Sequence, residues 1–268
     1  MNQIIDGRRL AKKHESDLRT KIETLGKTPI LVSILVGDDP ASVLYTQIKK
    51  NKAESLGIEF RVEKFEDNVS TLDLEDLIRR LNQDNEINGI MIQLPLPSNL
   101  SDASDSLISQ ISGEKDVDGL RVDSSFLAAT VRGIIEILND EGVKLADKTV
   151  VVVGSQGEVG SRLMKVLECE CQELIGLGKD SDNWSESILR ADVLISSTGR
   201  VGLITGDMVK DGVVVIDVGS EKTKDGQILG DVEFASVAPK ASKITPVPGG
   251  VGPMTVISLM ENLVEASP

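Results

Sequence analysis

From Ile30 to Pro97 the chain alternates three segments of strand length with two helical stretches, an order that leaves few folds open. Ile30 to Val36 reads as a buried strand, Ala41 to Leu56 as a helix closed by Gly57, and Glu59 to Phe65 as a strand with strict alternation. Thr71 to Leu81 is helical again, and Gly89-Ile90-Met91-Ile92-Gln93-Leu94-Pro95-Leu96-Pro97 is a strand stopped by two prolines that cannot continue a ladder. A β-α-β-α-β order predicts a parallel sheet with helices on both faces. An amphipathic helix from Gly7 to Leu25 precedes it.

The alternation resumes further on. After a connecting helix expected over 125–138, the run Lys148 to Gly154 opens a second set of strands, continued at Leu174 to Leu177, Val193 to Ser196 and Val213 to Val218. A last helix is expected from Thr255 to Ala266. With 268 residues, two lobes are favoured over one. The expected fold class is α/β: two lobes, each a mainly parallel sheet with flanking helices, the second Rossmann-like. The expected division is 1–123 plus 252–268 for the first lobe, the final helix returning to it, and 124–251 for the second.

Ligands of open parallel sheets collect beyond the carboxyl ends of the strands, so the residues there are the candidates. Gln93 ends one such strand, and the helix bearing Tyr45 and Lys49 starts from another. Tyr45 is the only tyrosine, and four residues on a helix put its phenol beside the Lys49 ammonium. Spacing alone fits an ordinary amphipathic face equally well. Gln93 alone could serve only local backbone groups, and Lys115-Asp116-Val117-Asp118-Gly119 reads equally as an Asp-Gly turn. In the second lobe, Gly154-Ser155-Gln156-Gly157-Glu158-Val159-Gly160 joins a β-branched strand to a helix. Such a turn offers backbone N–H groups and a positive helix end to a pyrophosphate, although it is not a strict G-x-G-x-x-G. Ser196-Ser197-Thr198-Gly199 and Asp217-Val218-Gly219 lie at further strand ends. The run Thr245-Pro246-Val247-Pro248-Gly249-Gly250-Val251-Gly252-Pro253-Met254-Thr255 fixes an unusual backbone path that a ligand can approach closely.

Composition bears on the function classes. The net charge of −14 argues against a nucleic-acid surface. No apolar run reaches about 18 residues and the N-terminus lacks a secretory pattern, so a cytoplasmic protein without a membrane partner is expected. Cys169 and Cys171 lack partners for a four-ligand site, and no metal is expected.

Taken together, these blocks resemble the bifunctional methylenetetrahydrofolate dehydrogenase/methenyltetrahydrofolate cyclohydrolase family. The resemblance runs from Ile4-Ile5-Asp6-Gly7 to the last helix. It is carried by Val36-Gly37-Asp38-Asp39-Pro40-Ala41-Ser42 with Tyr45 and Lys49, by Gln93-Leu94-Pro95-Leu96-Pro97, by Lys115 to Gly119 and by the Thr245 to Thr255 run. It implies oxidation of methylenetetrahydrofolate by NADP, or NAD, followed by hydrolysis of the methenyl cation to formyltetrahydrofolate. Lys49 matches the family's catalytic lysine, Tyr45 its partner, Gln93 the glutamine bonded to the lysine, and Asp118 the acid that binds the pterin. Leu94, Pro95, Pro248, Gly249 and Gly250 would line the folate cleft. Gly154, Ser155, Gln156, Val159, Gly160, Lys179, Thr198, Gly199, Gly219 and Thr130 would face the cofactor. The family also implies a homodimer.

Two departures from the pattern stand in the second lobe and the crossover. Ser155, Gln156 and Arg162 replace an arginine, a serine and a proline of the family's cofactor turn, while Gly178 and Lys179 replace a histidine and a serine. That arginine normally helps hold the 2′-phosphate of NADP; Lys179 could restore the contact as a point charge, whereas Asp180 and Asp182 favour an unphosphorylated ribose. The segment from Asp118 to Gly133 is shortened, keeping Thr130 but losing the flanking prolines. Two alternatives therefore stand beside the bifunctional enzyme: a cyclohydrolase with weak hydride transfer, and a non-catalytic folate- or nucleotide-binding protein.

Overall fold

The structure, a computed structural model, describes residues 3–223 and 225–267. In chain order its elements are β1 (Gln3–Ile4), α1 (Gly7–Thr24), β2 (Ile30–Val36), α2 (Pro40–Ser55), β3 (Glu59–Phe65), α3 (Thr71–Gln83), β4 (Gly89–Ile92) and α4 (Ser104–Gln110). They continue with α5 (Ala129–Asp140), β5 (Thr149–Val153), α6 (Glu158–Leu167), β6 (Glu173–Leu177), α7 (Trp184–Arg190), β7 (Val193–Ser196) and β8 (Val214–Asp217). The series ends with β9 (Glu221–Lys222), β10 (Ile228–Leu229), α8 (Phe234–Val237), β11 (Lys243–Ile244) and α9 (Val251–Glu265).

The chain divides into two compact units, Met1–Lys12 with Thr130–Thr255, and Lys13–Ala129 with Val256–Pro268. The second of these holds a three-stranded parallel sheet in the order β3-β2-β4. Every residue of β2 is buried, as expected for a central parallel strand covered on both faces. Val32, Ile34 and Val36 pack on one face with Ile90 and Ile92 of β4 and with Leu74, Leu77, Ile78 and Leu81 of α3. Leu74, Leu77, Ile78 and Leu81 recur at helical spacing, which explains why 71–83 folds as a helix with one apolar stripe. Ser70 accepts the Asp73 N–H and caps its start. The C-terminal helix belongs to this unit over 256–268: Asn262 donates to the carbonyls of Val117 and Leu127, and a Cβ on Gly89 would lie 2.7 Å from Leu263.

The other unit holds a six-stranded sheet in the order β1-β11-β8-β7-β5-β6, every pairing parallel, with the antiparallel hairpin β9–β10 beside it. Its core is aliphatic: Val151, Val153, Leu194 and Val215 with Ile188, Ile204 and Val237. That follows from a chain in which aromatics make up only 2% of residues.

Three expectations need correction. Residues 1–12, read as part of the first lobe, lie in the six-stranded unit, because β1 pairs with β11 and Ile5 donates to the Ile244 carbonyl. The connecting helix begins at Ala129, not Ser125; residues 119–128 are irregular with a turn at 122–123, and Gly119 packs against Ala128. The last helix begins at Val251, not Thr255, because Pro253 falls in the first turn, where a missing N–H breaks no intrahelical bond. Among the described residues no helix is long and apolar enough to cross a membrane.

Candidate active site

In the three-stranded sheet β2 is flanked by β3 on one side and β4 on the other, and in the six-stranded sheet β5 is flanked by β6 and β7 in the same way, so the strand order reverses there. Ligands bind at that reversal, beyond the carboxyl ends of the two strands that flank it. In the three-stranded sheet these ends are Gly37 after β2 and Gln93 after β4. In the six-stranded sheet they are Gly154 after β5 and Ser197 after β7.

At the first reversal α2 departs from β2. Asp39 accepts the Ser42 N–H and Pro40 opens the helix, which fixes the direction in which Tyr45 and Lys49 project. Lys49 Nζ donates to Gln93 Oε1 at 3.1 Å and lies 4.0 Å from Met91 Sδ. Gln93 is in turn oriented by its own Nε2, which donates to the Leu94 carbonyl at 2.7 Å, while its backbone N–H joins Ile34 at the strand end. Burial pushes the Lys49 ammonium below the ordinary lysine value, and the charge of Asp118 partly opposes it. Asp118 is half-buried, on a turn fixed by Gly119 at a φ of 70° and by the Asp116 carboxylate, which accepts the Leu120 and Arg121 N–H groups. Tyr45 is half-buried on the same helix one turn before Lys49. Lys49, Gln93 and Asp118 are thus gathered around one amine, with Leu94 and Pro95 following Gln93 across a cis peptide. Met91 was missed in the sequence; strand alternation puts it on the face of Gln93, and that period would have found it.

At the second reversal the chain passes Gly154 at a φ of 84°, where a Cβ would lie 2.5 Å from the Ser197 carbonyl. Gly160, in the first turn of α6, is buried against the Gly154 carbonyl, so the turn and the helix start touch backbone to backbone. No side chain caps the start of α6, and the first N–H groups of a helix have no intrahelical partners. Glu158 would oppose an anion there, but Arg162 pairs with it and also donates to its carbonyl at 2.7 Å. Gly178 carries no side chain because Gln156 lies against it: a Cβ would meet Gln156 Cδ at 2.5 Å. The backbone of Gly178 is held by Ser181 and by the Trp184 indole, leaving Lys179 exposed on a fixed turn. Thr198 and Gly199 follow β7, and Gly219 follows β8. Thr130 lies 3.4 Å from the Thr255 hydroxyl. Pro248, Gly249 and Gly250 follow a cis Val247–Pro248 bond, with Gly249 at a φ of 112° and the Gly250 carbonyl packed against Gly7.

The two regions match known sequence patterns in the same order. Residues 5–118 match the tetrahydrofolate dehydrogenase/cyclohydrolase catalytic domain, and residues 128–268 match the NAD(P)-binding domain of the same family. The bifunctional protein FolD of Bacillus subtilis is 40% identical over 276 residues, covering 98% of this chain and 97% of the relative. The bifunctional FolD methylenetetrahydrofolate dehydrogenase/cyclohydrolase of Campylobacter jejuni superposes with a TM-score of 0.95 at 35% identity, covering 100% of this chain and 99% of that one. The Trypanosoma brucei dehydrogenase-cyclohydrolase, solved with NADP and an inhibitor, gives 0.91 at 29% identity, covering 99% and 97%. A half-buried lysine held by a strand-end glutamine in one unit and a glycine-lined helix start in the other therefore sit in a chain that belongs to the tetrahydrofolate dehydrogenase/cyclohydrolase family.

Proposed function

We propose that this chain oxidises 5,10-methylenetetrahydrofolate to the methenyl form with NADP as hydride acceptor, and then hydrolyses the methenyl cation to 10-formyltetrahydrofolate. The observation that carries the reading is the Lys49–Gln93 pair: an amine whose protonated form is disfavoured by burial, aimed by a fixed amide. Water addition needs a group that can take a proton, and a lysine does so only when part of it is neutral. A cationic folate beside the amine favours the neutral form further. Gln93 keeps the amine in place, and Asp118, an acceptor-only carboxylate, suits the amino and N–H donors of a pterin. Tyr45 orients the ring system, with Leu94 and Pro95 along it.

The cofactor residues in this reading are Gly154, Ser155, Gln156, Val159 and Gly160 for the pyrophosphate, Lys179 for the ribose phosphate, and Thr198, Gly199, Gly219 and Thr130 for the nicotinamide half. NADP supplies the hydride acceptor; the chain supplies N–H donors, a helix dipole and close backbone approach. The unit over 13–129 and 256–268 is the folate-binding one, and the unit over 1–12 and 130–255 binds the cofactor. A cytoplasmic homodimer, with the edge of the six-stranded sheet as its interface, completes the reading and rests on the family resemblance alone.

A paired assay tests it. Purified protein receives methenyltetrahydrofolate, and separately methylenetetrahydrofolate with NADP or NAD, beside Lys49→Ala as control. Both activities are expected. Hydrolysis without reduction of either cofactor would favour the cyclohydrolase reading, which Ser155 in place of the family's arginine motivates. Rates no higher than those of Lys49→Ala would sink the catalytic assignment and leave a binding protein. Lys179→Ala should weaken NADP more than NAD; an equal effect would remove its phosphate role.

A further inference from the structure

We propose that Asp217 and Asp231 are positioning residues for hydride transfer: a pair of buried carboxylates that clasps the strand-end loops 196–200 and 217–219 in one fixed arrangement. Asp217 ends β8 and is 3% exposed; Asp231 follows β10 and is 0% exposed. Each carboxylate accepts three hydrogen bonds. Asp217 takes the N–H groups of Gly219, Asp231 and Val232, each at 3.0 Å. Asp231 takes the Ser196 hydroxyl at 2.8 Å, the Thr198 N–H at 2.6 Å and the Arg200 N–H at 3.0 Å. These donors are backbone N–H groups and one hydroxyl, so oriented dipoles and not an ion pair hold the two charges.

The geometry ties together parts far apart in sequence. Asp231 holds the loop after β7, Asp217 holds the loop after β8, and the Asp231 N–H links one carboxylate's backbone to the other's oxygen. The Thr245 hydroxyl accepts the Asp217 N–H at 2.7 Å, so the start of the Thr245 to Thr255 run is anchored to the same point. Two glycines are dictated by the carboxylates: a Cβ on Gly219 would lie 2.2 Å from Asp231 Oδ1, and one on Gly230 would lie 2.0 Å from Asp217 Oδ2.

A carboxylate is a costly choice for a turn, and burial pushes Asp217 up to about 6. It is also the side chain that can receive several N–H donors without presenting a donor of its own. Three donors converging on one side chain fix loop position far more tightly than one cap does. Hydride transfer is sensitive to that position, since displacement of a reacting group by about 1 Å is enough to cost about a hundredfold in rate. The inference rests on the reading that Thr198, Gly199 and Gly219 face the nicotinamide half of the cofactor. Lys49, Gln93 and Asp118 lie in the other compact unit, so the two activities of one molecule report separately.

The test uses the full chain with Asp231→Asn and, independently, Ser196→Ala. Asparagine keeps the shape but replaces one acceptor oxygen by a donor, whereas Ser196→Ala removes one of three donors and leaves the carboxylate. Dehydrogenase kcat and KM for NADP, cyclohydrolase kcat and calorimetric NADP binding are measured on the same preparations. For Asp231→Asn we expect dehydrogenase kcat at saturating NADP to fall tenfold or more while cyclohydrolase kcat stays within twofold; Ser196→Ala gives a smaller loss of the same kind. Parallel loss of both activities, a rise in KM with kcat kept, or unchanged dehydrogenase would overturn the proposal. If Asp231→Asn does not fold, Ser196→Ala decides by the same criteria. A wild type that neither binds NADP nor reduces it removes the cofactor reading itself, and the clasp with it. Wild-type activity with unaffected variants removes only the clasp.

Discussion

An ammonium drawn into protein surroundings weakens the fold whenever it is charged, and Lys49 is held there by the Gln93 amide, with the Asp118 charge favouring its protonated form. The sign of its pH dependence follows. With the folded value below 10.5, the unfolded chain binds more protons between the two values, so stability rises with pH across that window. Lys49→Met should flatten that rise, keep or raise the unfolding midpoint at neutral pH, and lower cyclohydrolase turnover by about a hundredfold or more. A lowered midpoint would mean that the lysine is there for structure. Asp217 has the opposite sign: its folded value of about 6 exceeds the ordinary 3.8, so its contribution is full below the lower value and is lost as pH rises through about 6. At about 1.4 kcal/mol per pH unit the interval amounts to about 3 kcal/mol, and denaturant titrations from pH 4 to 8 should show it in the wild type and not in Asp217→Asn. The two residues also mark the limit of what was legible. Lys49 and Gln93 could be named because strand ends and helix spacing are local patterns, and the resemblance gave them roles. Asp217 was visible only as a polar residue at a strand end, since its burial depends on where the chain returns at 230–232, which no local pattern encodes.

The same division holds for whole elements. The four-residue and longer strands were readable from apolar runs or, for β3, from alternation, and α3 from its stripe, because periodicity is a signal that accumulates with length. β1, β9, β10 and β11 have two residues each and exist only through their partners, so nothing in their own sequence announced them. The start of α9 was misplaced for another reason: Gly and Pro usually mark breaks, but in a first turn proline is tolerated. The glycine-rich turn before α6 was legible as a turn, while its tightness was not. Gly160→Ala tests that tightness. Alanine favours a helix by about 1 kcal/mol over glycine, yet its Cβ would sit 2.1 Å from the Gly154 carbonyl, and backbone cannot rotate aside as a side chain can. The clash should dominate, with a net loss of about 1–2 kcal/mol in denaturant unfolding and at least tenfold weaker NADP binding. Cyclohydrolase activity should persist. Unchanged NADP affinity would show that the pyrophosphate does not use this turn.

The scale of the molecule adds one consequence that neither residues nor elements carry. Each unit has its own sheet and its own aliphatic core, and the chain passes between them inside α1, at the start of α5 and inside α9. The expected division set 1–123 plus 252–268 against 124–251, whereas the compact units are 13–129 with 256–268 and 1–12 with 130–255; the largest shift is at the N-terminus, where a two-residue strand pairs with β11. A ligand that binds only the native form of one unit stabilises that unit by RT ln(1 + [L]/Kd), about 2.7 kcal/mol at a hundredfold excess over Kd. If NADP binds at the carboxyl ends of β5, β7 and β8, amide hydrogen exchange of those strands should slow by up to about a hundredfold at that concentration. Strands β2 and β4 should change little, because their exchange requires opening of a sheet that holds none of the proposed NADP contacts. Equal slowing of both sheets would show that the units open as one cooperative body, so that separate cores in this chain do not make separate folding units. Slowing confined to β2 and β4 would place the cofactor on the wrong sheet and remove the assignment of Gly154 and Gly160 with it.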